Sequence, residues 1–65
     1  MVDGKKMRRL RENLGLSQQE LGEAAGVSVQ MISYLEAEIK TANVDTIARI
    51  ARKLDVKLDD IVVLP

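Results

Sequence analysis

The sequence predicts an all-α fold, a compact five-helix bundle, and three observations carry that expectation. Apolar residues recur at helical rather than alternating spacing, as at Ile47, Ile50, Ala51 and Leu54. The punctuation between them is made of cap residues and single glycines instead of Asn-Gly hairpin signals. The 65 residues include no cysteine and no histidine, so no disulfide or usual metal site can staple the chain, and stability must come from helix packing.

The first helix is expected over about residues 5–13, with Met7, Leu10 and Leu14 as its core stripe and Lys5, Lys6, Arg8 and Arg9 on other faces. Gly15 ends it. The second, over 17–25, opens on Leu16-Ser17-Gln18-Gln19-Glu20-Leu21. Ser17 can accept from the amide of Glu20 while the Glu20 carboxylate reaches back, and Leu16 and Leu21 staple the turn. Gly26 supplies the left-handed residue that stops the helix. A third begins almost at once, because Val27 and Ile32 form another staple around the cap Ser28. No Gly or Pro follows Glu36 directly, so this helix is expected to run from 28 to 38.

Two short helices joined by so few residues cannot fold back antiparallel and should cross steeply, a helix-turn-helix. Gly22 lacks the side chain that would hold the third helix away. A fourth helix over 43–54 is capped by Asn43, and a fifth over 58–63 carries Leu58, Ile61 and Val62. Residues 1–65 read as one domain, without repeat or linker.

Composition excludes more than it identifies. Without His or Cys the commonest general base and the strongest nucleophile are missing, and the acids are scattered over helix surfaces, so an enzyme is not expected. No metal, cofactor or small-molecule ligand is implied. The N-terminus carries no long apolar run, which leaves a cytoplasmic, non-membrane protein as the expectation. Net charge is zero, but it is +3 over residues 1–16, −4 over 17–38 and +1 over 39–65, so any charge that attracts phosphate must flank the middle.

The segments Leu10–Leu21, Ala25–Ser28 (Ala-Gly-Val-Ser), Ile32–Glu36 and Ile50–Ile61, in this order and spacing, resemble the Cro and phage-repressor (XRE-like) type of helix-turn-helix domain. The resemblance spans nearly the whole chain. It implies sequence-specific binding of double-stranded DNA by a transcriptional regulator, repressor-like, with the third helix in the major groove. Base contacts then fall to the outward-facing Ser28, Val29, Gln30, Ser33 and Tyr34, with Gln30 suited to a bidentate pair with adenine and Val29 to a thymine methyl. Phosphate contacts fall to Gln18 and Gln19 at the start of the second helix and to Lys40, Thr41 and Asn43 in the loop after the third. Arg11 and Glu36 match the family's structural ion pair.

The usual partner arrangement is a homodimer, at least on DNA, and the apolar run Ile61, Val62, Val63 and Leu64 is the candidate interface, although Ile61 and Val62 can equally complete the core. Three positions depart from the family pattern: Glu38 stands where Gly is frequent, Ile39 where a basic residue is frequent, and Ala42 where Pro is. Together with the apolar Val29 and Met31 they open an alternative, a helix-turn-helix fold used as a protein-interaction module or partner-controlled regulator.

Overall fold

The computed structural model describes residues 1–63, and their architecture follows from four helices that each start on a side-chain cap and stop on a left-handed residue. The elements are α1 (Gly4–Asn13), α2 (Gln18–Ala25), α3 (Val29–Glu36) and α4 (Val44–Lys53), followed by one turn of 3-10 helix, Leu58–Asp60. At the N-termini, Asp3, Ser17, Ser28 and Asn43 each accept from the amide three residues on. At Ser17 the reciprocal bond from Glu20 completes the capping box, at 2.9 and 3.0 Å.

All four helix ends use one device. Two amides just past the helix, in 5→2 and 6→1 pairs, reach back to its last carbonyls: Gly15 and Leu16 after α1, Gly26 and Val27 after α2, Glu38 and Ile39 after α3, Asp55 and Val56 after α4. The left-handed residue is Gly15 (φ 70°), Gly26 (φ 73°), Glu38 (φ 61°) and Asp55 (φ 60°). The third helix therefore does not run on to residue 38. Hydrogen bonding of Glu38 to Leu35 and of Ile39 to Tyr34 terminates it without a glycine.

The fifth helix expected over 58–63 is also corrected: the described residues contain four α-helices, and the C-terminal segment contracts to the single 3-10 turn. Beyond it the chain extends, and Val62 forms an isolated antiparallel bridge with Val2. The flanking bonds run from Asp3 N to Ile61 O at 2.8 Å and from Val63 N to Met1 O at 2.7 Å. An extended chain can pair with the N-terminal arm, which a helix could not.

One core unites these elements: Met7 from α1, Leu21 and Ala25 from α2, Ile32 and Leu35 from α3, Ile47, Ile50 and Ala51 from α4, closed by Val2, Leu54 and Ile61. In α1 the buried stripe is Gly4, Met7 and Arg11 rather than Met7, Leu10 and Leu14. Leu10 is half-buried, and Leu14 is 52% exposed at the helix end. Among the described residues no helix is long and apolar enough to cross a membrane.

Candidate nucleic-acid interface

The interface is built on the crossing of α2 and α3. A Cβ on Gly22 would lie 2.8 Å from the carbonyl oxygen of Val27 and 3.2 Å from that of Ser28, so α2 meets the turn that leads into α3 through bare backbone. Gly26 turns the chain in the left-handed conformation and Ser28 restarts it, its Oγ accepting from the amide of Met31 at 3.1 Å. Crossing angle and helix start are thus both fixed by short local interactions.

On α3, Ile32, Leu35 and Glu36 face inward. Val29, Gln30 and Ser33 are exposed, Ser28 is exposed at the cap, and Tyr34 is half-buried beside Gln30. Met31 packs against the core edge. Of the five residues expected to read bases, four are thus exposed and Tyr34 is half-buried. Gln30 Nε2 donates to the Tyr34 hydroxyl at 2.6 Å, and Lys40 Nζ stands 5.0 Å from the centroid of the Tyr34 ring.

Behind this face lies an ion-pair network. Arg11 donates to Glu36 through Nε at 2.6 Å and Nη2 at 3.1 Å, and its Nη1 donates to the Leu16 carbonyl at 2.8 Å. Gln18 Nε2 adds a bond to Glu36 at 3.0 Å. The guanidinium pKa is raised by hydrogen bonding to Glu36, an effect that outweighs its desolvation. Every buried side-chain nitrogen and oxygen among the described residues is hydrogen-bonded. One carboxylate thereby joins α1, the start of α2 and α3.

The flanks of the exposed side of α3 come from two places. At the start of α2, Ser17 and Glu20 cap each other, while the amides of Gln18 and Gln19 donate to no acceptor among the described hydrogen bonds. Gln19 is exposed, whereas the Gln18 carboxamide is drawn inward by Glu36. At the far end, Lys40 and Thr41 are exposed in the loop after α3, and Asn43 spends its Oδ1 on the amide of Thr46 at 2.8 Å.

The C-terminal run does not present four apolar side chains together. Ile61 is fully buried and belongs to the core, Val62 is half-buried in its bridge to Val2, and Val63 is 46% exposed. Leu64 lies outside the described residues. Two features escaped the sequence reading: the contact of Gly4 with the end of α3, and the link from Gln30 through Tyr34 to Lys40. The only sequence signal for the second is the i, i+4 spacing of Gln30 and Tyr34.

Residues 7–61 match the helix-turn-helix family. An HTH-type transcriptional regulatory protein assigned in Methanocaldococcus jannaschii is 39% identical over 57 residues, which are 88% of this chain but 18% of that protein's length. The chain thus spans under a fifth of that relative. Among solved structures, the P22 c2 repressor in complex with a synthetic operator superposes with a TM-score of 0.85 at 27% identity, covering 91% of this chain and 89% of that one. SinR in complex with DNA superposes at 0.79 and 26% identity, covering 86% and 90%. With most of its length matched and the crossing of α2 and α3 in place, this chain belongs to the helix-turn-helix family, in its Cro and phage-repressor form.

Proposed function

We propose that the domain binds double-stranded DNA sequence-specifically as a transcriptional regulator, repressor-like, with α3 in the major groove. One observation carries this reading: the only charged residue of α3, Glu36, is buried against Arg11. The outer face is consequently free of carboxylates that would repel phosphate, and it offers amide, hydroxyl and methyl groups. Gln30 pairs with adenine, Val29 packs on a thymine methyl, and Ser28 and Ser33 accept or donate to neighbouring bases. The free amides of Gln18 and Gln19 bind one phosphate at a helix N-terminus, and Lys40 and Thr41 bind another. Asn43 contributes through its remaining Nδ2 hydrogens.

The c2 repressor and SinR, both solved on DNA, support this assignment. A domain of this size covers few base pairs, so it acts as a homodimer on half-sites about one helical turn apart. Val63 and the exposed Met1, paired through the Val63 amide and the Met1 carbonyl, with the exposed Ile39 lining the same hollow as Met1, supply the apolar surface for that pairing. The place of action is the cytoplasm, where bacterial or archaeal DNA is accessible, and no catalytic step is involved.

In vitro selection from random duplexes at low salt tests the whole reading. Enrichment of a two-fold symmetric site is expected, with affinity falling steeply as salt rises. Recovery of an unselected pool would overturn it and favour the protein-interaction reading, for which the 67% exposure of Ile39 is the supporting observation.

A further inference from the structure

Tyr34 is the chain's only aromatic residue, and it is absent from the core, which is wholly aliphatic apart from Met7. It stands instead between the two kinds of contact that the domain makes. One helical turn earlier, the Gln30 Nε2 donates to its hydroxyl at 2.6 Å. On the side of the loop, the Lys40 ammonium sits 5.0 Å from its ring centroid.

Each contact has a chemical consequence. A surface glutamine has three rotatable bonds to freeze when it meets a base, and a bond already made to a fixed acceptor removes part of that cost beforehand. Giving one Nε2 hydrogen to Tyr34 also settles the sense of the carboxamide. It leaves Oε1 and the second Nε2 hydrogen for the base edge, an acceptor and a donor that match adenine N6 and N7. The ring face, with its negative quadrupole, confines the Lys40 ammonium to the same end of α3.

We propose that Tyr34 is a positioning residue, its hydroxyl orienting Gln30 for base reading and its ring orienting Lys40 for phosphate contact. This rests on the DNA-binding reading above, and on Gln30 as its base reader. It differs from a direct base contact by Tyr34 in predicting that the hydroxyl and the ring affect different measurements.

The test uses the 65-residue chain and the selected duplex, together with duplexes that change one base pair at a time, measured by fluorescence anisotropy at several salt concentrations. Tyr34→Phe is expected to reduce discrimination about three- to tenfold at the base pair where Gln30→Ala acts, with the salt slope unchanged. In the Gln30→Ala, Tyr34→Phe double variant, discrimination there should be no worse than in Gln30→Ala alone. Tyr34→Leu should in addition weaken binding to every duplex and flatten the salt slope, and Lys40→Ala is expected to do the same.

Thermal unfolding of Tyr34→Phe serves as the control and is expected to match the parent. If Tyr34→Phe keeps full discrimination while Gln30→Ala loses it, the positioning role is wrong and the base-reading role of Gln30 stands. If Gln30→Ala changes no base preference, both fall. An additive double variant would overturn the coupling and assign Tyr34 a contact of its own.

Discussion

The Glu38 carboxylate accepts a hydrogen bond from the backbone amide of Gly4 at 2.8 Å, so the residue that stops α3 also caps α1. Both jobs fall on a side chain whose backbone is left-handed, a conformation costing a non-glycine residue about 1–2 kcal/mol. Glu38→Ala keeps that cost and loses the acceptor, and should lower stability by about 1 kcal/mol. Glu38→Gly loses the acceptor but sheds the strain, and should equal or exceed the parent. Urea unfolding of the two variants decides: equal stabilities would mean that position 38 is not left-handed in solution.

Gly4 and Gly22 should both resist alanine, for a reason unlike that of Gly15. A Cβ at Gly4 would strike the carbonyl groups of Leu35 and Glu36, and one at Gly22 the carbonyl of Val27. At Gly15 a Cβ would meet nothing within 4 Å, and only the φ of +70° opposes it. We expect Gly22→Ala to destabilise by about 1–3 kcal/mol and to weaken DNA binding further, because the displaced element is α3 itself. Gly15→Ala should cost about 1 kcal/mol and leave affinity unchanged. A Gly22→Ala variant with parental stability and affinity would rule out the close crossing.

Local signals explain why so much of this fold was legible in the sequence. Ser17, Glu20, Ser28 and Asn43 act within three residues of themselves, and Gly26 needs no partner to adopt its conformation, so each could be read without knowing the fold. Arg11 marks where local reading stops. Hydrophobicity favours Leu14 over Arg11 for the buried side of α1, but Arg11 is buried because Glu36, 25 residues away, neutralises it. Resemblance to a family identified the pair, while periodicity alone put Leu14 on the buried side in place of Arg11. Glu38 is similar: nothing near it in sequence reveals Gly4, 34 residues earlier, which supplies its partner. The last helix failed because Val62 had a competing partner in Val2, a contact between the two ends of the chain.

Breaking the Arg11–Glu36 pair on one side should be among the most damaging single changes in the protein. The side chains are 10% and 4% exposed, so removal of either leaves a charge with little water to replace its partner. Glu36→Ala should cost about 3–5 kcal/mol, whereas Arg11→Met combined with Glu36→Met should recover much of the loss by burying apolar surface instead. The comparison is read from denaturant midpoints of the single and double variants. Equal losses in Glu36→Ala and the double variant would show that the uncompensated charge is not what destabilises the single one.

Acid should loosen the start of α2 through Glu20. Its carboxylate accepts from the Ser17 amide while the Ser17 hydroxyl accepts from the Glu20 amide, and its pKa is lowered from the ordinary 4.5, first by the backbone hydrogen bond and then by the side-chain contact with Ser17. A carboxylate with a folded pKa below its unfolded one stabilises the fold fully above the unfolded value, and this contribution fades as pH falls through the folded value. The capping contribution should accordingly be present above the unfolded value of about 4.5 and be lost as pH falls through the lower folded value. Carbon-13 detection of the Glu20 carboxyl should give a midpoint below 4.5, accompanied by a shift of the Ser17 amide proton over the same range. In Glu20→Gln the Ser17 amide should no longer titrate. A Glu20 carboxyl that titrates at the ordinary glutamate value, with a Ser17 amide that does not shift over that range, would show that the reciprocal bond does not form in solution and that the start of α2 rests on the Ser17 hydroxyl alone.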